Sequence, residues 1–408
     1  MIRRALPAGG LILLVASCAD TDSADATAPD AQVAVPAPDA GSTPDADVDD
    51  CVGDGGDWRC TTQSRSCEES DFCSVSAPIG GRSLLAVWGS TKNDVWAAGT
   101  GGTIVHFDGT KWDAVESPTK QPIFALWGSS ASDVWLASSR AAVFRGGAFQ
   151  AGSTASTWTT LPELTPVRNP WSPKESMMLA LWGSEKDDVW IGGEPYQIDE
   201  WGAFASQWRT RLPTEEDSSP WTATKIGGGT EATTPPIRGI WGSSKNDVWA
   251  VGGGDGLYYS NVSTRGKTYH STSVDGSGLP VWTEVDSQSV ALLFAVWGSA
   301  PGDVWAVGNE GTIRHWVTGA KRWEIVPSPT TENLRAIWGS GPNDIWVVGE
   351  YATILHYDGK SWELATSALA VGAKPNLNGV WGSGADDVWA VGKGITLHFT
   401  GRKPTRAP

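Results

Sequence analysis

Seven times along this 408-residue chain two tryptophans recur eight residues apart, as in the stretch LLAVWGSTKNDVWAAG at positions 84–99. The pairs are Trp88/Trp96, Trp127/Trp135, Trp182/Trp190, Trp241/Trp249, Trp297/Trp305, Trp338/Trp346 and Trp381/Trp389. Successive copies begin 39, 55, 59, 56, 41 and 43 residues apart, so the inner spacing is fixed while the connections vary. A period of this size marks a repeat architecture. Stacked repeats share one continuous core, which replaces the two or three domains that length alone would suggest.

Each unit reads as four short strands. The first ends in AVWGS, the second is DVWAVG, the third resembles GTIVHFDG (102–109) and the fourth KWDAVESP (111–118). β-branched and aromatic residues fill these runs, with Gly, Asp and Asn between them, which is strand-and-turn chemistry. The fold class is therefore all-β, a seven-bladed β-propeller of four-stranded antiparallel blades. The residue two before the first Trp is always Ala or Gly (Ala86, Ala125, Ala180, Gly239, Ala295, Ala336, Gly379), as an inner strand crowded around an axis requires. The Trp pairs are expected to fill the wedges between blades with large flat surfaces. Six further tryptophans, Trp112, Trp158, Trp208, Trp282, Trp323 and Trp362, are read as opening fourth strands.

The Ser of each WGS is followed four residues later by Asp: Asp94, Asp133, Asp188, Asp247, Asp303, Asp344 and Asp387. One metal ion cannot use seven ligands on seven blades, so these carboxylates are expected to bond the backbone of their own turns. His106, His315, His356 and His398 share a third-strand position, and His270 falls outside that pattern. It lies in an insertion at 261–280 that is placed on the face opposite the binding mouth. Blade seven stops at its third strand, residues 395–400. Upstream of the first repeat, DFCSVSAP (71–78) carries Phe72, Val75 and Pro78 at the spacing of Trp112, Val115 and Pro118. That N-terminal strand is expected to complete the last blade and close the ring.

The amino-terminal segment is a targeting sequence. Arg3 and Arg4 precede the short apolar core LILLVAS, which ends in VASC. VASC resembles the bacterial lipobox, which implies cleavage before Cys18 and a lipid on that cysteine. Ala19 follows it, so the usual inner-membrane retention Asp is missing. We expect residues 1–17 to be a signal peptide and the protein to sit in a Gram-negative envelope, at the outer membrane. Residues 19–50 hold nine Asp, nine Ala and four Pro, with no Lys or Arg. Such a segment lacks the apolar surface to offset its ordering entropy, and 18–50 reads as a self-repelling tether reaching roughly 30 Å. DADVDD within it lacks the Gly and Glu of a calcium loop. Cys51, Cys60, Cys67 and Cys73 remain, an even number in a secreted chain with no C-x-x-C and no neighbouring His, so two disulfides are expected in any of three pairings. The formal net charge of −16 argues against a nucleic-acid partner.

The motif WGS-x3-DVWAVG…GTI-x-H-[FY]-DG-x-x-W is similar to repeats of secreted bacterial propellers labelled BNR-like. HFDGTKW (106–112) and HYDGKSW (356–362) look like a shortened Asp-box. This resemblance covers 71–402, leaves 51–70 as a small disulfide-linked segment and 403–408 as a tail, and implies fold more than activity. Ligands of such propellers sit at the mouth formed by the fourth-to-first and second-to-third strand connections. There the chain offers Arg238 and Arg335, the carboxylates Glu194, Asp255, Glu310 and Glu350, and Tyr351. Long connections into blades three and four add Trp171 and Trp221 as aromatics able to stack on sugars or proteins. The expected function is a monomeric, lipid-anchored recognition scaffold for glycans or proteins, without cofactor or metal. The alternative is a sialidase-like hydrolase or lyase using paired carboxylates.

Overall fold

The computed structural model describes residues 65–139, 142–147, 158–162, 164, 177–197, 204–210, 220–224, 226, 234–253, 265–276, 279–319, 321–370 and 372–401. All belong to the second of two compact units, Thr61–Pro408. Cys18, the tether, Cys51, Cys60, Trp171, Asp255 and the 403–408 tail lie outside the described residues.

The described chain forms seven four-stranded antiparallel sheets, the blades of a β-propeller. In blade 1 the strands are Leu84–Thr91, Asp94–Gly99, Ile104–Phe107 and Trp112–Val115, paired in that order. Blades 2 to 6 follow at 123–160, 178–224, 237–285, 293–326 and 334–364. Blade 7 takes Leu377–Gly384, Asp387–Gly392 and Ile395–Phe399, and its fourth strand is Phe72–Ser74 from the other end of the chain. The expected closure is thus present, antiparallel and in register, with Phe72 opposite Phe399 and Ser74 opposite Leu397. The closing strand is held on its other side too. Phe72 exchanges backbone hydrogen bonds with Thr366 and Ala368 (3.0 and 2.8 Å), and the Asp71 carboxylate accepts from Thr366. Cys67 is bonded to Cys73 within this strand.

No blade has a core of its own. The buried apolar residues fall into seven clusters, and each cluster draws on two neighbouring blades. Two aromatic rings of contacts run through these interfaces. The residue opening each fourth strand packs edge-on against the second-strand Trp of the preceding blade. Around the circle these pairs are Trp112–Trp389, Trp158–Trp96, Trp221–Trp135, Trp282–Trp190, Trp323–Trp249, Trp362–Trp305 and Phe72–Trp346, with centroids 5.1–6.1 Å apart. Edge-to-face pairs of this kind add about 0.5–1.5 kcal/mol each beyond the area they bury. The first-strand Trp lies instead on the glycine of the next blade's WGS. A Cβ on Gly339 would sit 2.6 Å from the Trp297 indole, and the same clash recurs at all seven glycines. Trp and Gly are thus one feature: the indole needs the space that only a missing side chain leaves.

Four sequence expectations change. Trp208 sits in the third strand, Phe204–Thr210, fully buried, and the fourth strand of blade 3 is Trp221–Thr224. Trp221 is therefore the interblade aromatic of its repeat and not a loop ligand contact. The length of the blade 3 repeat hid this, because two tryptophans 13 residues apart competed for one slot. His270 does belong to the pattern: it lies in the third strand of blade 4, Gly266–Ser271. The supposed insertion at 261–280 therefore contains a blade strand, whose β-prone Thr268 and Tyr269 are buried between Gly266 and Ser271. Finally, the repeated Asp does not chiefly serve its own turn's backbone. Its Oδ2 accepts from the Ser four residues earlier and its Oδ1 from a third-strand His or Arg.

Candidate functional site

The repeated polar groups form one unit per blade. In blades 1 and 4–7, Nε2 of His106, His270, His315, His356 and His398 donates to Oδ1 of Asp94, Asp247, Asp303, Asp344 and Asp387 at 2.5–2.7 Å. In blades 2 and 3 the same place is taken by Arg145 to Asp133 (2.6 Å) and Arg209 to Asp188 (2.5 Å). Each of these side chains lies against the second-strand Trp of its blade, with His270, His315, His356 and His398 stacked at 3.8–4.0 Å and the two guanidiniums at 4.6 Å. Burial pushes the five His-paired carboxyls up, but the hydrogen bonds from His and Ser and the nearby imidazole charge outweigh it and hold them below the ordinary range. Ser, His and Asp side by side invite a catalytic reading. The order is wrong for it: Asp lies between the other two, so the hydroxyl donates to the carboxylate and no base is set on it. These units are clasps joining the first three strands of each blade.

The Asp-box turns are also structural. Asp108 accepts from the backbone of Thr110 and Lys111 and from the Thr110 hydroxyl, and the hydroxyl and backbone bonds together bring its carboxyl down to about 2. Gly109 follows at φ +96°, in the left-handed region that favours glycine.

The other rim differs from blade to blade. Every inner strand carries a β-bulge one residue before its small residue, as the register shift between Leu84 and Ala86 shows in blade 1. A bulge re-aims its extra residue away from the ladder. The seven bulged residues are Leu85, Phe124, Leu179, Arg238, Phe294, Arg335 and Asn378, all half-buried at the start of the innermost strands. Blades 1–3 thus give an apolar arc, and blades 4–6 give two arginines flanking a phenylalanine. The guanidiniums of Arg238 and Arg335 lie 5.5 and 5.7 Å from the Phe294 ring.

The expected mouth residues fall into place around this arc. Arg335 is bound to Glu350, whose second oxygen accepts from Asn333 at 2.9 Å. Glu310 holds the Tyr351 position in the matching turn of blade 5, at φ +55°, and donates its backbone N–H to Asn333 (3.0 Å). Glu194 sits in the second strand of blade 3 and its charge acts on Arg238. Tyr351 is 52% exposed beside Glu350, with φ +52°, and Ala352 follows at +60°. The equivalent positions in blade 1 are Gly101 and Gly102. Side chains held in that region cost about 1–3 kcal/mol each and cluster at ligand sites. Arg238 differs from its partner. Burial lowers its pKa, with attraction from Glu194 opposing and repulsion from Arg335 adding to the shift, and no carboxylate among the described residues pairs with it; Nε is buried without a hydrogen-bond partner in both arginines. On the opposite face an open cleft of about 430 Å³ runs between blades 2 and 3, but its Arg145 is already shared by Asp133 and Asp187. Among the described residues no group of three or more His, Cys, Asp or Glu is placed to hold a metal ion.

No family model and no curated protein sequence matches the chain. Solved structures do. YCF48 bound to D1 peptide is 15% identical with a TM-score of 0.55, covering 85% of this chain and all of that one. YCF48 from Cyanidioschyzon merolae is 14% identical with a TM-score of 0.54, covering 82% and 100%. A streptogramin B lyase structure is 15% identical with a TM-score of 0.55, covering 80% and 95%. At these identities the likeness shows the propeller fold.

Proposed function

We propose that this protein is a recognition propeller held outside the cytoplasm by a lipid on Cys18, binding a glycan or protein ligand at the mouth ringed by the bulged residues. The observation that carries the reading is the contrast between the two rims. On one, the seven clasps of Ser, Asp and His or Arg spend the repeated polar groups on one another. On the other, blades diverge in chemistry, with Tyr351 exposed and Arg238 half-buried among the bulged residues. One similar structure holds a bound peptide, which supports binding as a use of this architecture. The BNR-like repeats and the VASC site support a secreted, envelope-anchored protein.

A second reading, a hydrolase or lyase on the same propeller, draws on the streptogramin B lyase likeness and on Glu310 and Glu350 at the mouth. Both Glu350 oxygens already accept hydrogen bonds, one from Arg335 and one from Asn333, which makes it a poor nucleophile as it stands. One experiment separates the readings. The full-length protein is applied to glycan and peptide arrays, and the retained ligands are examined for cleavage. Uncleaved ligand lost on mutating the mouth supports the scaffold. Products that vanish in Glu310→Gln or Glu350→Gln establish the enzyme. For the anchor, wild type should fractionate with membranes and Cys18→Ser should not; unlipidated wild type would overturn it.

A further inference from the structure

Arg238 is a charge without a stated purpose in the free protein. It occupies a bulged position where blades 1 and 3 carry Leu85 and Leu179, so the ring closes well without a cation there. Among the described residues it makes no hydrogen bond and no ion pair, while Arg335 beside it, whose Nε is likewise unpartnered, is held through Nη2 by Glu350. A half-buried guanidinium with an orphaned N–H is costly unless something completes it. Phe294 fixes its position from one side and Arg335 adds positive potential from beyond that ring.

We propose that Arg238 is the anchor for a carboxylate on a protein segment, an Asp or Glu flanked by apolar side chains that seat on the arc of Leu85, Phe124 and Leu179. This rests on the recognition reading above and names its ligand class. Arginine meets a carboxylate with two parallel N–H donors, and among the described residues none engages the donors of Arg238. The rest of the ring selects between an acidic sugar and an acidic peptide. Four of its seven residues are hydrocarbon. Asn378, the one amide, is turned into the scaffold, donating to the Leu84 carbonyl at 2.8 Å. A sugar would leave its hydroxyls unpaired against that arc, whereas apolar side chains lose nothing there. The acidic protein as a whole repels polyanions, so a single carboxylate in an apolar setting fits better than an acidic run.

The test uses the full-length protein and a peptide array in which Asp or Glu, flanked by Leu, Val or Phe, is compared with Asn or Gln in the same frame. The acidic members should bind at least tenfold tighter than their amides, and Arg238→Leu should remove that preference. The same variant separates an anchor from a structural residue: the free Arg238→Leu protein should melt at or above the wild-type temperature. A fall in its melting temperature would overturn the proposal. So would equal binding of acid and amide, or selective binding of uronic or sialic acid glycans through Arg238. A peptide bound at the mouth independently of Arg238 defeats the proposal and leaves the recognition reading standing. No binding by any array defeats both.

Discussion

Replacing Phe72 by alanine tests the closure where it is most exposed to failure. Phe72 is fully buried, edge-on to Trp346 at 5.3 Å and beside Phe399 at 5.6 Å, in the cluster that joins blades 6 and 7. It lies some 300 residues in sequence from everything it touches, so no local structure substitutes for it. Truncating a buried Phe to Ala costs about 3–5 kcal/mol. With an unfolding entropy near 2.1 cal/mol/K per residue over roughly 340 residues, that lowers Tm by about 4–7 °C. Phe72→Trp is the informative companion, because six blades already fill this slot with Trp, and it should keep most of the stability. Ile325→Ala, at 66% exposed, should shift Tm by less than about 1 °C, as surface truncations cost within about 0.5 kcal/mol. Scanning calorimetry of the full-length variants reads all three. A Phe72→Ala protein melting within about 1 °C of wild type would refute the view that this strand closes the ring energetically as well as geometrically.

Gly339→Ala should destabilise by about 1–3 kcal/mol, since its new methyl meets the Trp297 indole at 2.6 Å and the Asp344 carbonyl at 2.9 Å; chemical denaturation checks it, and a neutral result would contradict the Trp–Gly fit. Acid should loosen the fold. Asp94, Asp247, Asp303, Asp344 and Asp387 have folded pKa values below their unfolded ones, so they bind fewer protons when folded and stabilise fully above the ordinary carboxylate range near pH 4. That stability is lost as pH falls from about 4 through the lowered values. A denaturation midpoint that is flat between about pH 5 and 2 would show that the clasps contribute nothing.

What was legible in the sequence was whatever every blade repeats. The Trp pairs, the small inner residue and the spacing of Phe72, Val75 and Pro78 identify the blade count and the closure, because packing at each interface imposes them identically. Legibility failed where connections are long. In blade 3, Trp208 and Trp221 both fit a fourth-strand opening by composition, and only the pairing of 204–210 with 188–197 decides between them. In blade 4 the distance from Asp247 to His270 is 23 residues instead of the 11 or 12 of blades 1 and 5–7, so the clasp was invisible as a spacing. Arg145 and Arg209 were missed as clasp members for a different reason. They are not histidines, and their equivalence rests on chemistry: each donates to the same Asp oxygen and covers the same Trp face.

The same contrast locates function. In a ring of near-identical blades, a side chain present in all seven serves the geometry all seven share. A ligand sees instead the positions where blades differ. The bulged position is the clearest case, for it keeps its backbone form in every blade while its side chain runs from Leu85 through Phe124 and Leu179 to Arg238, Phe294, Arg335 and Asn378. Arg238 and Arg335 stood out in the sequence only as charges before a small residue. Closing the ring gives them neighbours: it sets Phe294 between them, ties one to Glu350 and leaves the other without an ion-pair partner among the described residues. A propeller built from uniform blades therefore acquires a direction, apolar on one side of its mouth and cationic on the other, without any change to the contacts that hold it together.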